Sequence, residues 1–169
     1  MRYIDFDGVI LDTEALLFYE WRKNPNRHKL PESEKIKYIQ ESDWHRIINE
    51  SPIINDSIYI LKQMDPNESA ILTKVHSLSN EGYEKVIYLR NKGILQNIIL
   101  VPYNIRKSDI VIPEGDTLID DSLRNLSEWE AKGGYPMFFD KKENNIDSWN
   151  MPNDKGYQRV LRIDAKRYR

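Results

Sequence analysis

Short apolar runs alternate with longer amphipathic stretches along the 169 residues of the chain. Tyr3, Ile4 and Phe6 favour an extended backbone and predict a first strand over 2–6, left through Gly8. From residue 14 to 65 the period becomes helical. Ala15–Lys23 permits a helix behind Asp12 or Thr13, and Asn24-Pro25-Asn26 breaks it. Ile36 and Ile39 recur at helical spacing, as do Trp44, Ile47 and Ile48 behind Ser42-Asp43, and then Ile54, Ile58, Leu61 and Met64. Ala70-Ile71-Leu72-Thr73 reads as the second strand. Ser79–Lys92 predicts a helix capped by Ser79, with Tyr83, Val86, Ile87 and Arg90 on its period and Gly93 at its end. Ile98–Val101 and Thr117–Asp120 are the third and fourth strands, and Leu123–Lys132 a helix behind Ser122. Tyr135–Phe139 is the fifth strand. Pro136 cannot donate to a ladder, so this strand belongs near an edge. A late strand is expected at Val160–Ile163.

Strands of four to six residues separated by helices predict an α/β fold: a Rossmann-like parallel sheet of about five strands with helices on both faces. The helical stretch after the first strand is too long for a simple crossover and reads as a small inserted cap. The expected organisation is a core domain of 1–13 and 66–150, a cap of 14–65, and a basic tail of 151–169 packed on or trailing from the core.

Chemistry concentrates at predicted strand ends. Asp5 and Asp7 stand two residues apart, so both would share one face if the strand ran through them. Two like charges in a dry site are costly unless a cation separates them or a reaction uses them. A turn rich in Asp is one reading. A calcium loop is excluded, because Gly8 falls fourth after Asp5 and no third Asp stands at the fifth position. Ligands bind beyond the carboxyl ends of the strands in an open parallel sheet. Thr73 ends the second strand, Lys107 follows the third, and Asp120-Asp121 end the fourth, so the topology gathers carboxylates, a hydroxyl and an ammonium at one edge.

In this order the residues resemble the haloacid dehalogenase-like (HAD) phosphohydrolases. Asp5-Phe6-Asp7-Gly8-Val9 matches the first motif of that family, Ile71-Leu72-Thr73 the second, Lys107 the third, and Leu118-Ile119-Asp120-Asp121 the fourth. The resemblance implies a Mg²⁺-dependent phosphomonoesterase. Asp5 would be the nucleophile that becomes an aspartyl phosphate, and Asp7 the general acid and base. Mg²⁺ would be held by Asp5, the Asp7 carbonyl and the pair Asp120 and Asp121, with Asp121 as the direct ligand and Asp120 acting through water or orientation. Thr73 and Lys107 would bind the phosphoryl oxygens, and Lys74 competes with Lys107 for that part. The acid at Asp7 favours phosphoryl transfer, since dehalogenases lack one there.

The small cap and the Leu-Ile-Asp-Asp-Ser segment look closest to the 5′(3′)-deoxyribonucleotidase-like branch, implying a small phosphorylated substrate such as a nucleoside monophosphate. Aromatic residues of the insert (Phe18, Tyr19, Trp21, Tyr38, Trp44, Tyr59) fit either a cap core or a stacking surface. Phosphatases of sugar phosphates or of polynucleotide ends are the alternatives, and a non-catalytic phosphate-ligand-binding protein is the rival of another class. Composition narrows the rest. Net charge is −2, from 25 basic and 27 acidic residues, which makes no global case for nucleic acid or an acidic membrane. No cysteine is present, excluding a thiolate metal site or a cysteine nucleophile. No apolar run reaches membrane-helix length, and Asp5 and Asp7 interrupt the N-terminal apolar residues, so a cytoplasmic protein is expected.

Overall fold

The computed structural model describes residues 1–140, 155–160 and 162–163. Among the described residues six parallel strands form one sheet: β1 (Arg2–Ile4), β2 (Ser69–Val75), β3 (Asn97–Pro102), β4 (Thr117–Asp120), β5 (Tyr135–Phe139) and β6 (Arg159–Val160), in the order β3-β2-β1-β4-β5-β6. The sixth strand lies in the expected tail, at Arg159–Val160 rather than Val160–Ile163. Most of the remaining tail lies outside the described residues. Among the described residues β6 pairs with Phe138 and Phe139, beyond Pro136, whose missing N–H breaks no ladder bond there.

Eight helices connect the strands among the described residues: α1 (Glu14–Leu17), α2 (Tyr19–Lys23), α3 (Glu32–Glu41), α4 (Trp44–Glu50), α5 (Ser57–Gln63), α6 (Tyr83–Asn91), α7 (Lys107–Ile110) and α8 (Leu123–Glu130). Alternate strand residues enter two cores. Ile4, Ile71 and Ile119 pack with Trp44, Ile48, Leu61 and Leu89 from α4, α5 and α6. Tyr3, Leu72, Leu118 and Phe138 pack with Leu126 and Trp129 of α8 on the other face. This period-two division is what a sheet covered on both sides requires. The second half of the insert thus shares the apolar cluster of β1. The C-terminal end of α3 is also tied to the core: Gln40 Nε2 donates to the His76 carbonyl at 3.0 Å, and Asn80 Nδ2 donates to the carbonyls of Gln40 and Ser42, both at 3.0 Å.

Three local expectations change. β1 stops at Ile4, two residues early, because the chain folds back on itself: the amides of Ile10 and Leu11 both donate to the Phe6 carbonyl. The helix after β2 opens with a π-helical turn, Leu78–Gly82, capped by Ser77 accepting from the Asn80 amide, so Ser79 is not its cap. Its buried side also differs from the predicted stripe. Tyr83 and Ile87 are exposed, whereas Glu81, Lys85, Tyr88 and Leu89 face inward. Helical spacing holds in both sets; the buried one includes an ion pair that hydrophobic periodicity does not register.

Candidate active site

The strand order reverses its direction of growth at β1, with β2 on one side and β4 on the other, the place where open parallel sheets bind ligands beyond their strand ends. Ile4 pairs with Ile119, and the Asp5 amide donates to the Ile119 carbonyl at 3.0 Å, so Asp5 leaves the sheet beside Asp120. Lys107, the first residue of α7, bridges the two: its Nζ lies 2.8 Å from Asp5 Oδ1 and 2.7 Å from Asp120 Oδ2. Asp120 is fully buried. It accepts from the Ser122 amide at 2.8 Å and from Asn125 Nδ2 at 3.0 Å as well, so its oxygens are held from three directions.

Burial drives the Asp5 carboxyl up from its ordinary 3.8 to about 7; Lys107 opposes that rise, while Asp120 and Asp7 add to it. Burial pulls the Lys107 ammonium down, but Asp120 and Asp5 outweigh it and leave its pKa raised. One ammonium therefore serves two buried carboxylates. Asp5, Asp120 and Asp121 each offer an oxygen within 4.8 Å of the others. Gly8 makes room for the third. Its φ is +73°, and a Cβ built there would lie 2.0 Å from Asp121 Oδ2. Carboxylate oxygens alone, clustered against a backbone with no side chain, suit a hard divalent cation such as Mg²⁺.

Asp7 turns to the other side of β1. Its Oδ1 accepts from the Thr13 hydroxyl at 2.7 Å and its Oδ2 from Lys85 Nζ at 2.5 Å. Lys85 also lies 2.7 Å from Glu81 Oε1, 3.0 Å from the Lys74 carbonyl and 3.2 Å from Thr73 Oγ1. Thr73, at the end of β2, is thus joined to Asp7 through this ammonium. Lys74 follows it with a half-buried side chain whose pKa is lowered by that burial. The lysine in contact with Asp5 is Lys107. Asp5, Lys107, Asp120 and Asp121 come together on one side of the end of β1, and Asp7 and Thr73 on the other through Lys85.

Lys85, Glu81, Thr13 and Asn125 were not found from the sequence. Glu81 and Lys85 stand at i and i+4 in a helical segment, a spacing usually read as an exposed ion pair. Thr13 reads as a helix cap, but no side-chain cap bond forms there; its hydroxyl serves Asp7 instead.

No protein-family model and no curated protein sequence matches the chain. Solved structures do. A hydrolase from Pseudomonas syringae superposes with a TM-score of 0.59 at 10% identity, over 95% of this chain and 92% of that one. A haloacid dehalogenase-like hydrolase from Streptococcus pneumoniae gives 0.58 at 14%, over 94% and 92%. D,D-heptose 1,7-bisphosphate phosphatase from B. bronchiseptica, solved with magnesium and phosphate, gives 0.55 at 14%, over 96% and 92%. The chain has the fold of the HAD-superfamily hydrolases.

Proposed function

We propose that this chain, built on the HAD hydrolase fold, is a Mg²⁺-dependent phosphomonoesterase working through an aspartyl phosphate. The observation that carries the reading is the buried Asp5 at the end of the central strand, bridged by Lys107 to Asp120 and clustered with Asp121. The similarity to a phosphatase solved with magnesium and phosphate agrees with it.

The Asp5 carboxylate attacks phosphorus, forming a new P–O bond as the bond to the leaving alcohol breaks. Asp7 gives that alcohol its proton. Water then attacks the phosphorus of the acyl phosphate, Asp7 takes the water's proton, and Asp5 leaves as carboxylate. Lys107 lowers the cost of ionising Asp5 and, with the Thr73 hydroxyl, faces the phosphoryl oxygens. Asp5, Asp121, the Asp7 carbonyl and Asp120 would hold Mg²⁺. When bound, the ion supplies charge neutralisation for the phosphoryl oxygens. Asp120, already engaged by Lys107, Asn125 and the Ser122 amide, serves by orienting Lys107, which leaves Asp121 as the more direct ligand.

A finer substrate reading has one observation in its favour. A cavity of about 570 Å³ in the insert is lined by Glu14, Phe18, Trp21, Arg22, Arg27, His28 and Lys35 among others. Flat apolar rings beside cationic groups suit a nucleotide better than a small sugar phosphate. A panel of phosphate esters assayed with Mg²⁺ and with chelator tests both levels. Phosphate release only with Mg²⁺ is expected, with deoxynucleoside monophosphates ahead of sugar phosphates. Equal rates for the two substrate sets would remove the nucleotidase reading. Release that persists in chelator and in Asp5→Asn would remove the mechanism. A protein that takes up phosphate in calorimetry without hydrolysing any ester would be a binding module.

A further inference from the structure

The reaction just described assigns no part to the most deeply buried cation beside it. Lys85 is fully enclosed on α6, and the rings of Phe6 and Trp44 lie 5.3 and 5.4 Å from its ammonium. A leucine or methionine could fill such a position without the cost of burying charge. What the ammonium gains is four oxygen neighbours, two of which belong to the transfer machinery: Asp7 Oδ2 at 2.5 Å and Thr73 Oγ1 at 3.2 Å. Asp7 and Thr73 stand on neighbouring chain segments, and Lys85 Nζ touches both. Glu81 balances its charge and is itself fixed, its Oε2 accepting from the His76 amide at 2.6 Å.

We infer that Lys85 is a positioning residue of the phosphoryl-transfer site, holding the Asp7 carboxylate in register with the Thr73 hydroxyl so that the proton donor meets the leaving oxygen. This rests on the phosphatase reading above. Thr13 and Lys85 grip one oxygen each of Asp7. A carboxylate oxygen has two lone-pair directions, so each keeps one for a proton in transit. The Asp7 side chain is 28% exposed, so without Lys85 it has room to swing toward water. Thr73, fully buried, would keep its place in the strand but lose its link to Asp7.

Leaving-group chemistry separates this role from mere support of the fold. Dinitrophenolate departs without a proton, whereas an alkoxide needs one. Single-turnover alcohol release is measured with Mg²⁺ for 2,4-dinitrophenyl phosphate and for an alkyl phosphate, using wild type, Lys85→Met, Glu81→Gln/Lys85→Met and Asp7→Asn. The double variant removes both members of the buried ion pair and guards against a lone buried Glu81. Release from the alkyl ester is expected to fall about 100-fold in the Lys85 variants while the dinitrophenyl ester stays within about threefold, the pattern of Asp7→Asn. An equal fall on both esters in folded variants overturns the inference, as does loss of fold in both variants, which would make Lys85 a structural counter-ion. A wild type inactive on both esters overturns the phosphatase reading and takes this inference with it.

Discussion

On the β4 side of β1, Asp5 meets Lys107, with Asp120 and Asp121 around it. On the β2 side, Asp7 meets Lys85, with Glu81 and Thr73 behind it. Each side places buried carboxylates against one buried lysine, yet the outcomes differ. Glu81 is at least as buried as Asp5, but its pKa is lowered: burial raises it, and Lys85 together with bonds from His76 more than reverses this. Asp5 moves the other way, because burial dominates and the one lysine it has is shared with Asp120. On the β2 side Lys85 is likewise shared, between Asp7 and Glu81, and the bonds from His76 to Glu81 add what that one ammonium does not supply. The β4 side is shorter still of positive charge, with three carboxylates around one ammonium.

The largest test of that contrast is Asp5→Asn. It removes the proposed nucleophile from the β4 side and is expected to lower phosphate release by at least about 10⁴-fold, measured with a chromogenic ester at saturating Mg²⁺. A residual rate near wild type would mean that the reacting group lies elsewhere. Lys107→Met comes next. It leaves Asp5 and Asp120 buried without their shared ammonium, and breaking such a pair costs about 3–5 kcal/mol. Urea unfolding in chelator measures this, and Mg²⁺ should return part of the loss by binding the folded state. A loss under about 1 kcal/mol would show that the β4 side never depended on Lys107.

pH sharpens the same point. The folded-state pKa of Asp5, about 7, lies above its ordinary 3.8. Its contribution to stability is therefore fully present below pH 4 and is lost as pH rises toward 7. Stability of the chelated wild type should fall relative to Asp5→Asn across that window, by on the order of 3 kcal/mol, and the difference should be flat above it. Paired urea titrations at pH 4.5 and pH 8 read the change. A difference that stays constant with pH would mean that Asp5 is ionised in the folded protein throughout.

Legibility in the sequence follows the same divide. Asp5, Asp7, Thr73, Asp120 and Asp121 lie at or next to strand ends, and strand ends in a parallel sheet converge, so their order along the chain pointed to one candidate site. The strands themselves were legible from Val, Ile, Leu and Tyr runs, with β6 expected at Val160–Ile163 and lying at Arg159–Val160. Lys107 was legible only as one of two candidates, since choosing it over Lys74 needed the turn into α7. Lys85 was not legible at all. It sits ten residues beyond the β2 end, on a helix whose apolar residues Tyr83 and Ile87 mimic a buried stripe while lying exposed. The helix turns its charged side inward because Asp7 and Thr73 wait there, and that demand comes from the far side of the fold.

The smallest effect is expected at Thr13, and it bears on which partner governs Asp7. Thr13 is buried and makes no helix-capping bond, so Thr13→Val removes little except the 2.7 Å bond to Asp7 Oδ1. A hydroxyl donating to a partly exposed carboxylate is replaceable by water, and the loss should be about 1 kcal/mol in urea unfolding. The charge-assisted contact from Lys85 remains and should keep Asp7 in place, so alkyl-ester turnover should fall only about threefold. Adding Lys85→Met should then cost more than the two single losses together, because Asp7 loses its last fixed partner; a coupling above about 0.5 kcal/mol is the expected reading of the double-mutant cycle. Were Thr13→Val alone to match the loss in Lys85→Met, the hydroxyl would be the principal clamp. The ammonium would then serve Glu81 and the fold, and the two sides of β1 would differ less than their charges imply.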